Sequence, residues 1–345
     1  MTEKIARETS GGGRGERLLV VGPAWVGDMV MAQSLFIALK RRDPDCEIDV
    51  LGPAWSTPLL ARMPEVRSAL VLEVGHGETG VRKRWRLGRR LVGHYDRAIV
   101  LPRSMKSALV PFFARIPRRV GFTGEQRYGV LTERRRLDRT VLDQTVKRFV
   151  ALGLPPEDSQ ASIPYPKLRV DPARQRQLRS QYGLDAPLIA LMPGAEYGPA
   201  KQWPLTHFGA VASAMVARGY QVVVLGGPKE GPAGERIAEG RVGVINLCGS
   251  TSLTDAVDLL GACDQAISND SGLMHVAAAV GTHLQAVYGS SSPHYTPPLT
   301  GAADIHWLDL ACSPCFERTC PLGHTRCLKE IEPERVERSL IAVTR

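Results

Sequence analysis

The stretch Arg17-Leu-Leu-Val-Val-Gly-Pro-Ala-Trp-Val-Gly-Asp28, running on through residues 29–40, decides how this chain folds. Its first five residues form a short apolar run that stops at a glycine. Such a run marks a strand buried on both faces of a parallel sheet. A glycine-containing turn follows, and the apolar residues of 29–40 then recur at helical spacing. Strand, turn and helix make one βα unit. The turn is not G-x-G-x-x-G, which disfavours a dinucleotide site here.

Working outward, the same alternation repeats. Strands are expected at residues 47–51, 69–72 and 98–101, with helical stretches between and after them, including 104–115. This predicts a parallel, doubly wound α/β sheet. The pattern breaks between 153 and 185, where PPEDSQASIPYPKLRVDP reads as an interdomain linker and 172–182 as a helix. Alternation then resumes, with strands at 188–192, 221–225, 244–247, 265–268 and 284–287 and helices at 204–218, 231–239, 254–262 and 272–280. Two similar βα domains in tandem are therefore expected, without a sequence repeat between them. Their boundaries read as a mobile tail over 1–16, a first domain over 17–165 and a second over 166–328. The closing segment, 329–345, has a helical pattern that would fold back onto the first domain.

Composition narrows the class. The 345 residues suit two domains, and 43% hydrophobic with 23% charged residues is a globular balance. The net charge of +9 suits an anionic partner: nucleic acid, an acidic membrane surface or a phosphorylated substrate. A nucleic-acid binder needs a basic stripe interleaved with aromatics, or a known module, and neither is found. No run approaches the roughly 20 apolar residues needed to span a bilayer. The polar start lacks the apolar core of a secretion signal, which points to the cytoplasm. Seven cysteines, an odd number, argue against a secreted disulfide framework. Four of them, Cys312-x2-Cys315-x4-Cys320-x6-Cys327, are spaced so that they either hold a structural zinc or stand as reduced thiols.

Three stretches carry chemistry. Gly22-Pro-Ala-Trp-Val-Gly-Asp28 sits at the carboxyl end of the first strand, where open α/β sheets place ligands. Asp28 there is either a helix-start cap, favoured by the helix dipole, or a general base facing a cleft. Pro193-Gly-Ala-Glu-Tyr-Gly-Pro-Ala-Lys201 again follows a strand and precedes a helix. Gly194 and Gly198 let backbone approach a diphosphate, and Lys201 is either a phosphate contact or a solvated charge. Trp203 reads as packing for this loop. Ser268-Asn-Asp-Ser-Gly-Leu-Met-His275 places Asp270, Ser271 and Gly272 where a helix begins, able to hold a phosphate. His275 lies one turn along the same helix as Ser271. The bland alternative is a cap followed by a small-residue packing helix. Tyr288-Gly-Ser-Ser-Ser-Pro293 adds a further phosphate-friendly turn.

On GPAWVGDMVMAQSL, LPRSMKSALVPFF, PGAEYGPAKQWP, NDSGLMHVAAA and SSPHYTPPL, in this order, the chain resembles the ADP-heptose:lipopolysaccharide heptosyltransferases across residues 17–340. These are inverting glycosyltransferases of the GT-B fold, two Rossmann-like doubly wound domains facing a cleft. Pro-Ala-Trp before Val26-Gly-Asp28 favours the branch that adds the second heptose. The resemblance implies transfer of L-glycero-D-manno-heptose from ADP-heptose to the first heptose of the lipopolysaccharide inner core. It implies Asp28 as general base and Lys201 as stabiliser of the diphosphate. Gly194, Ala195, Glu196, Lys201, Asp270, Ser271, Gly272 and His275 would line the donor site, with Glu230 beside Lys229 at the ribose or adenine. Arg103, Lys106 and Arg127 would meet the phosphorylated acceptor, with Arg118 and Arg119 as further candidates; each is otherwise a solvated charge. No cofactor or catalytic metal is implied. A monomer at the anionic inner face of the inner membrane is expected, without nucleic acid. The alternatives are a family member that adds the first or third heptose, or a non-catalytic nucleotide-sugar-binding protein. The latter would lack Asp28 or Lys201, and both are present.

Overall fold

Two six-stranded sheets, every strand pair parallel, carry the chain. The computed structural model describes residues 15–75, 78–155, 158 and 162–340. The first sheet uses β1 (Arg17–Val21), β2 (Glu47–Gly52), β3 (Val66–Val71), β4 (Arg97–Val100), β5 (Arg118–Phe122) and β6 (Glu133–Arg135), in the order β3-β2-β1-β4-β5-β6. The second uses β7 (Leu188–Met192), β8 (Gln221–Val224), β9 (Val244–Asn246), β10 (Gln265–Asn269), β11 (His283–Val287) and β12 (Ala303–His306), in the order β12-β11-β10-β7-β8-β9. Counted from its own first strand, each sheet has the same doubly wound order. The direction in which strands are added reverses between β1 and β4, and again between β7 and β10. The crevice outside the carboxyl ends of such strand pairs is where this architecture takes ligands.

The helices are α1 (Val26–Arg42), α2 (Thr57–Leu60), α3 (Val81–Arg90), α4 (Leu109–Phe113), α5 (Thr145–Gly153), α6 (Pro172–Tyr182), α7 (Leu205–Ala217), α8 (Gly231–Ala238), α9 (Leu253–Ala262), α10 (Gly272–Val280), α11 (Arg326–Lys329) and α12 (Pro333–Ser339). β7, α6 and α10 coincide with their expected spans. α6 owes its limits to local chemistry: Asp171 caps its start, Pro172 opens it, and Gly183 at φ 62° ends it. The helix expected over 104–115 is instead a 3-10 turn, Met105–Ala108, followed by α4. β5, β6 and β12 were not expected. Their sequences RRVGF, ERR and ADIH carry charges where a buried strand would be apolar.

Two boundary expectations change. Residues 1–14 lie outside the described residues, but Glu16, placed in the tail, pairs with Arg97 at 3.1 Å and with Arg118 at 3.4 Å. The closing helix does not return to the first sheet. α12 packs on α7, and Leu328, Ile331, Val336 and Leu340 fill the core around Trp203 and Phe208 of the second sheet. The indole Nε1 of Trp203 donates to the Ile331 carbonyl at 2.8 Å and fixes that return. Residues 156, 157 and 159–161 of the expected linker and 341–345 of the closing segment lie outside the described residues.

The halves meet on α1 and α10. The linker is tied to both. Gln33 of α1 donates to the Lys167 carbonyl at 2.8 Å and accepts from its amide at 2.9 Å. Arg62 pairs with the fully buried Asp258 of α9 at 2.5 Å. Among the described residues, no helix is long and apolar enough to cross a membrane.

Candidate functional site

Asp28 sits in the first turn of α1, whose N-cap Trp25 is extended and makes no side-chain cap bond. Burial in the cleft pushes the Asp28 carboxyl up to about 6, Lys201 pulls it back and Asp270 raises it further. These three groups, from opposite sheets, therefore lie within electrostatic reach of one another.

The loop after β7 is held from beneath by Asn269. Its Oδ1 accepts from the Trp203 amide at 2.9 Å and its Nδ2 donates to the Pro193 carbonyl at 2.7 Å, all fully buried. Trp203 is 1% exposed and packs the loop, as its sequence context suggested. The 3-10 turn Pro199–Lys201 ends on Lys201, whose Nζ lies 2.5 Å from Asp270 Oδ2. Lys201 Nζ also stands 5.1 Å from the Tyr197 ring centre, and the Arg318 guanidinium stands 5.1 Å from the same ring. Asp270 therefore orients Lys201, and its carboxylate is occupied by that pair.

α10 begins at Gly272 after Ser271, an extended N-cap that makes no side-chain cap bond. Ser271 Oγ instead lies 3.3 Å from Ser268 Oγ. With the cap unmade, the first turn's amides and the positive end of the helix dipole can receive an anion. The start of α10 meets the start of α1 at very short range. A Cβ on Gly27 would fall 2.6 Å from His275 Cδ2, and one on Gly272 would fall 2.9 Å from Val26 Cβ. Glycine at both positions is what allows this approach. Burial lowers His275 to about 4, so the ring packed against α1 is neutral at pH 7.

Other expected residues divide. A Cβ on Gly194 would lie 3.0 Å from Glu230 Cγ, so the β7 and β8 loops converge. Across the same gap Glu196 pairs with Lys229 at 3.0 Å, while Ala195 is buried. Ser290, in the turn after β11, donates its amide to the Ala200 carbonyl at 3.1 Å. Arg103 is exposed and Lys106 half-buried, both beyond the carboxyl end of β4. Arg127 is not available to an acceptor: it is 2% exposed and its guanidinium donates to the carbonyls of Pro102, at 2.8 Å, and Phe122. Arg118 and Arg119 begin β5 and so stand at the sheet edge away from the cleft. Arg118 pairs with Glu133 at 2.8 Å, and Arg119 donates to the carbonyls of Val130, at 2.7 Å, and Ile116. Missing β5 in the sequence put these two on the wrong edge.

Sequence reasoning missed Tyr197, Asn269 and Arg318. Asn269 lay inside a quoted motif, and a buried amide at a strand end was its signal. Arg318 had none, because it reaches the loop by tertiary path, its carbonyl accepting from the Ala200 amide at 3.0 Å. Cys312, Cys315, Cys320 and Cys327 line one small cavity with Ser290 and His324. All are free thiols, and among the described residues no group of three or more His, Cys, Asp or Glu is arranged to hold a metal ion. The spacing left structural zinc or thiols open, and the four side chains gather at one cavity.

This assembly joins a carboxyl that ionises near neutrality to a lysine and two uncapped helix starts. It can remove a proton on one side and stabilise a departing anion on the other. Comparison with known proteins bears on which reaction that is. Residues 84–326 match the model of glycosyltransferase family 9 (heptosyltransferase). Lipopolysaccharide heptosyltransferase 2 of Salmonella typhimurium is 44% identical, over 93% of this chain and 96% of its own length. Lipooligosaccharide heptosyltransferase 2 of Haemophilus influenzae is 45% identical, over 84% and 87%. The solved structure of Escherichia coli ADP-heptose lps heptosyltransferase II superposes with a TM-score of 0.83 at 41% identity, over 93% and 96%.

Proposed function

Because the chain belongs to glycosyltransferase family 9, the heptosyltransferases, we propose that it moves L-glycero-D-manno-heptose from ADP-heptose to the first heptose of the lipopolysaccharide inner core. The observation that carries this reading is the meeting of Asp28 with Lys201 and Asp270 across the two sheets. The second half, 166–340, holds the donor, and the first, 17–165, the acceptor. ADP rests between the start of α10, the 194–201 loop and Lys201, with Glu230 and Lys229 toward the nucleoside. Arg103 and Lys106 meet acceptor phosphates.

Asp28 takes the proton of the acceptor hydroxyl as its oxygen attacks the anomeric carbon. The bond from that carbon to the phosphate oxygen breaks, through a transition state of oxocarbenium character. The electron pair leaves with ADP, whose growing charge meets Lys201 and the α10 amides. One displacement inverts the anomeric centre. Lys201 supplies the positive charge this step needs, so turnover does not depend on a divalent cation. The enzyme works in the cytoplasm, at the inner face of the inner membrane.

The test is ADP release from ADP-heptose with defined inner-core acceptors, in excess EDTA. Release with a mono-heptosylated acceptor is expected; release with the unheptosylated acceptor, or loss in EDTA, would sink the corresponding claim. Asp28→Ala is expected to lose at least about 100-fold in turnover while keeping donor affinity.

A further inference from the structure

The chemistry above leaves the most cationic helix of the chain without a role. α3 and its surroundings carry Arg82, Lys83, Arg84, Arg86, Arg89 and Arg90, and no carboxylate lies between Glu78 and Asp96. Only Arg84 is buried, its Nε donating to the Thr79 carbonyl at 2.8 Å. The other five are exposed, and among the described residues none forms an ion pair. Beside them stand exposed apolar groups: Trp85 at 52%, Val81 at 48% and Val92 at 39%. Val81 and Trp85 lie one helical turn apart on the same face of α3, and Val92 follows in the turn just past its end. Leu87 and Leu91 face inward, and the Gly88 backbone packs on α4, where a Cβ would fall 2.6 Å from Phe113 Cβ. α4 adds the exposed ring of Phe112, with the Arg119 guanidinium 5.8 Å from its centre.

We propose that α3, with Phe112 of α4, is the surface by which this protein docks on an anionic phospholipid bilayer. An exposed tryptophan flanked by valines and ringed by unpaired arginines suits an interface with phosphates above and acyl chains below. Nucleic acid would satisfy the cations but leave Val81 and Val92 exposed. The inference rests on the reading of the acceptor as a membrane-held glycolipid. The surface lies on the acceptor half: α4 starts at the turn that carries Lys106, beyond the carboxyl end of β4, and carries Phe112 toward Arg119 at the opposite edge of the sheet. Docking there would keep the acceptor half at the membrane while the donor half stays in water.

The test is co-sedimentation of the full chain with phosphatidylcholine vesicles made with or without phosphatidylglycerol. Binding is expected only with phosphatidylglycerol, and to weaken as salt rises. Charge reversal at three sites, R82E/R86E/R89E, should lower affinity more than about 100-fold, at roughly five-fold or more per charge. W85S, with every charge intact, should lower it about 10-fold. Both variants should turn over a water-soluble, deacylated acceptor at the wild-type rate and fail on the vesicle-embedded one. Wild-type protein left in the supernatant, or binding unchanged in the triple variant, overturns the proposal. So does an unaffected W85S whose binding is displaced by polyuridylic acid, which would make the surface a nucleic-acid site. Failure on the soluble acceptor would instead refute the proposed reaction, and sedimentation would still decide the docking.

Discussion

Asp28 is the residue on which the site turns, and its environment makes two separable predictions. A base must be ionised, so kcat/KM should fall about tenfold per pH unit below about 6 and level off above it. The limb should survive in His275→Gln, because His275 ionises near 4 and is neutral across the same range. Its disappearance there would reassign the base. Stability should move the opposite way to activity. With its folded value raised from 3.8 to about 6, Asp28 stabilises the fold fully below 3.8 and loses that contribution as pH rises through 6. Asp28→Asn should therefore be inactive yet more stable at pH 7.5, by up to about 3 kcal/mol, less whatever solvent at this half-buried position screens. Denaturant unfolding of both proteins at pH 7.5 and pH 4 would reveal it, with the difference vanishing at the lower pH. Residue type and position made Asp28 and Lys201 readable in the sequence. Arg127 was misread for the same reason. An arginine after a strand end looks alike whether its guanidinium faces solvent or, as here, donates to two backbone carbonyls.

At the scale of elements, the site depends on two helix starts being nearly in contact. Gly27→Ala puts a methyl where the buried His275 ring already stands, and neither helix can shift without moving its sheet. The expected cost is about 1–3 kcal/mol of closed arrangement, read as a 5- to 100-fold loss in kcat/KM with near-normal melting. A fully active Gly27→Ala would mean that α1 and α10 are not this close in the working enzyme. Asn269→Ala acts from below, stranding the Trp203 amide and the Pro193 carbonyl in the core, at about 1–3 kcal/mol for each group left unpaired. Thermal unfolding checks the stability, and donor affinity should fall with it. The elements that flank the site were readable because β1 and β7 are largely apolar runs and glycine-containing turns separate the strands from the helices that follow. β6 and β5 were not, because strands at or next to a sheet edge keep one side in solvent and accept charge. That omission misplaced Arg118 and Arg119, so an error of element became an error of site.

At the scale of the molecule, two sheets of identical winding invite the expectation that the halves melt separately. The core argues otherwise. One continuous apolar cluster takes in Leu35 and Phe149 from the first half and Met274, Val276 and Leu260 from the second. It is joined by the buried Arg62–Asp258 pair and by a linker hydrogen-bonded to α1. Removing either half would expose apolar surface, and removing the first would also take Arg62 from the buried Asp258, a penalty of several kcal/mol. Calorimetry is therefore expected to give one transition whose van't Hoff and measured enthalpies agree. ADP, which the proposed site holds mainly through the second half, should raise that single transition rather than split it. At 100 times its dissociation constant the gain is about 2.7 kcal/mol. Two transitions, with only the upper one responding to ADP, would show that the α1–α10 contact is too weak to couple the halves. Asp28 would then meet Lys201 only when substrate draws the cleft shut.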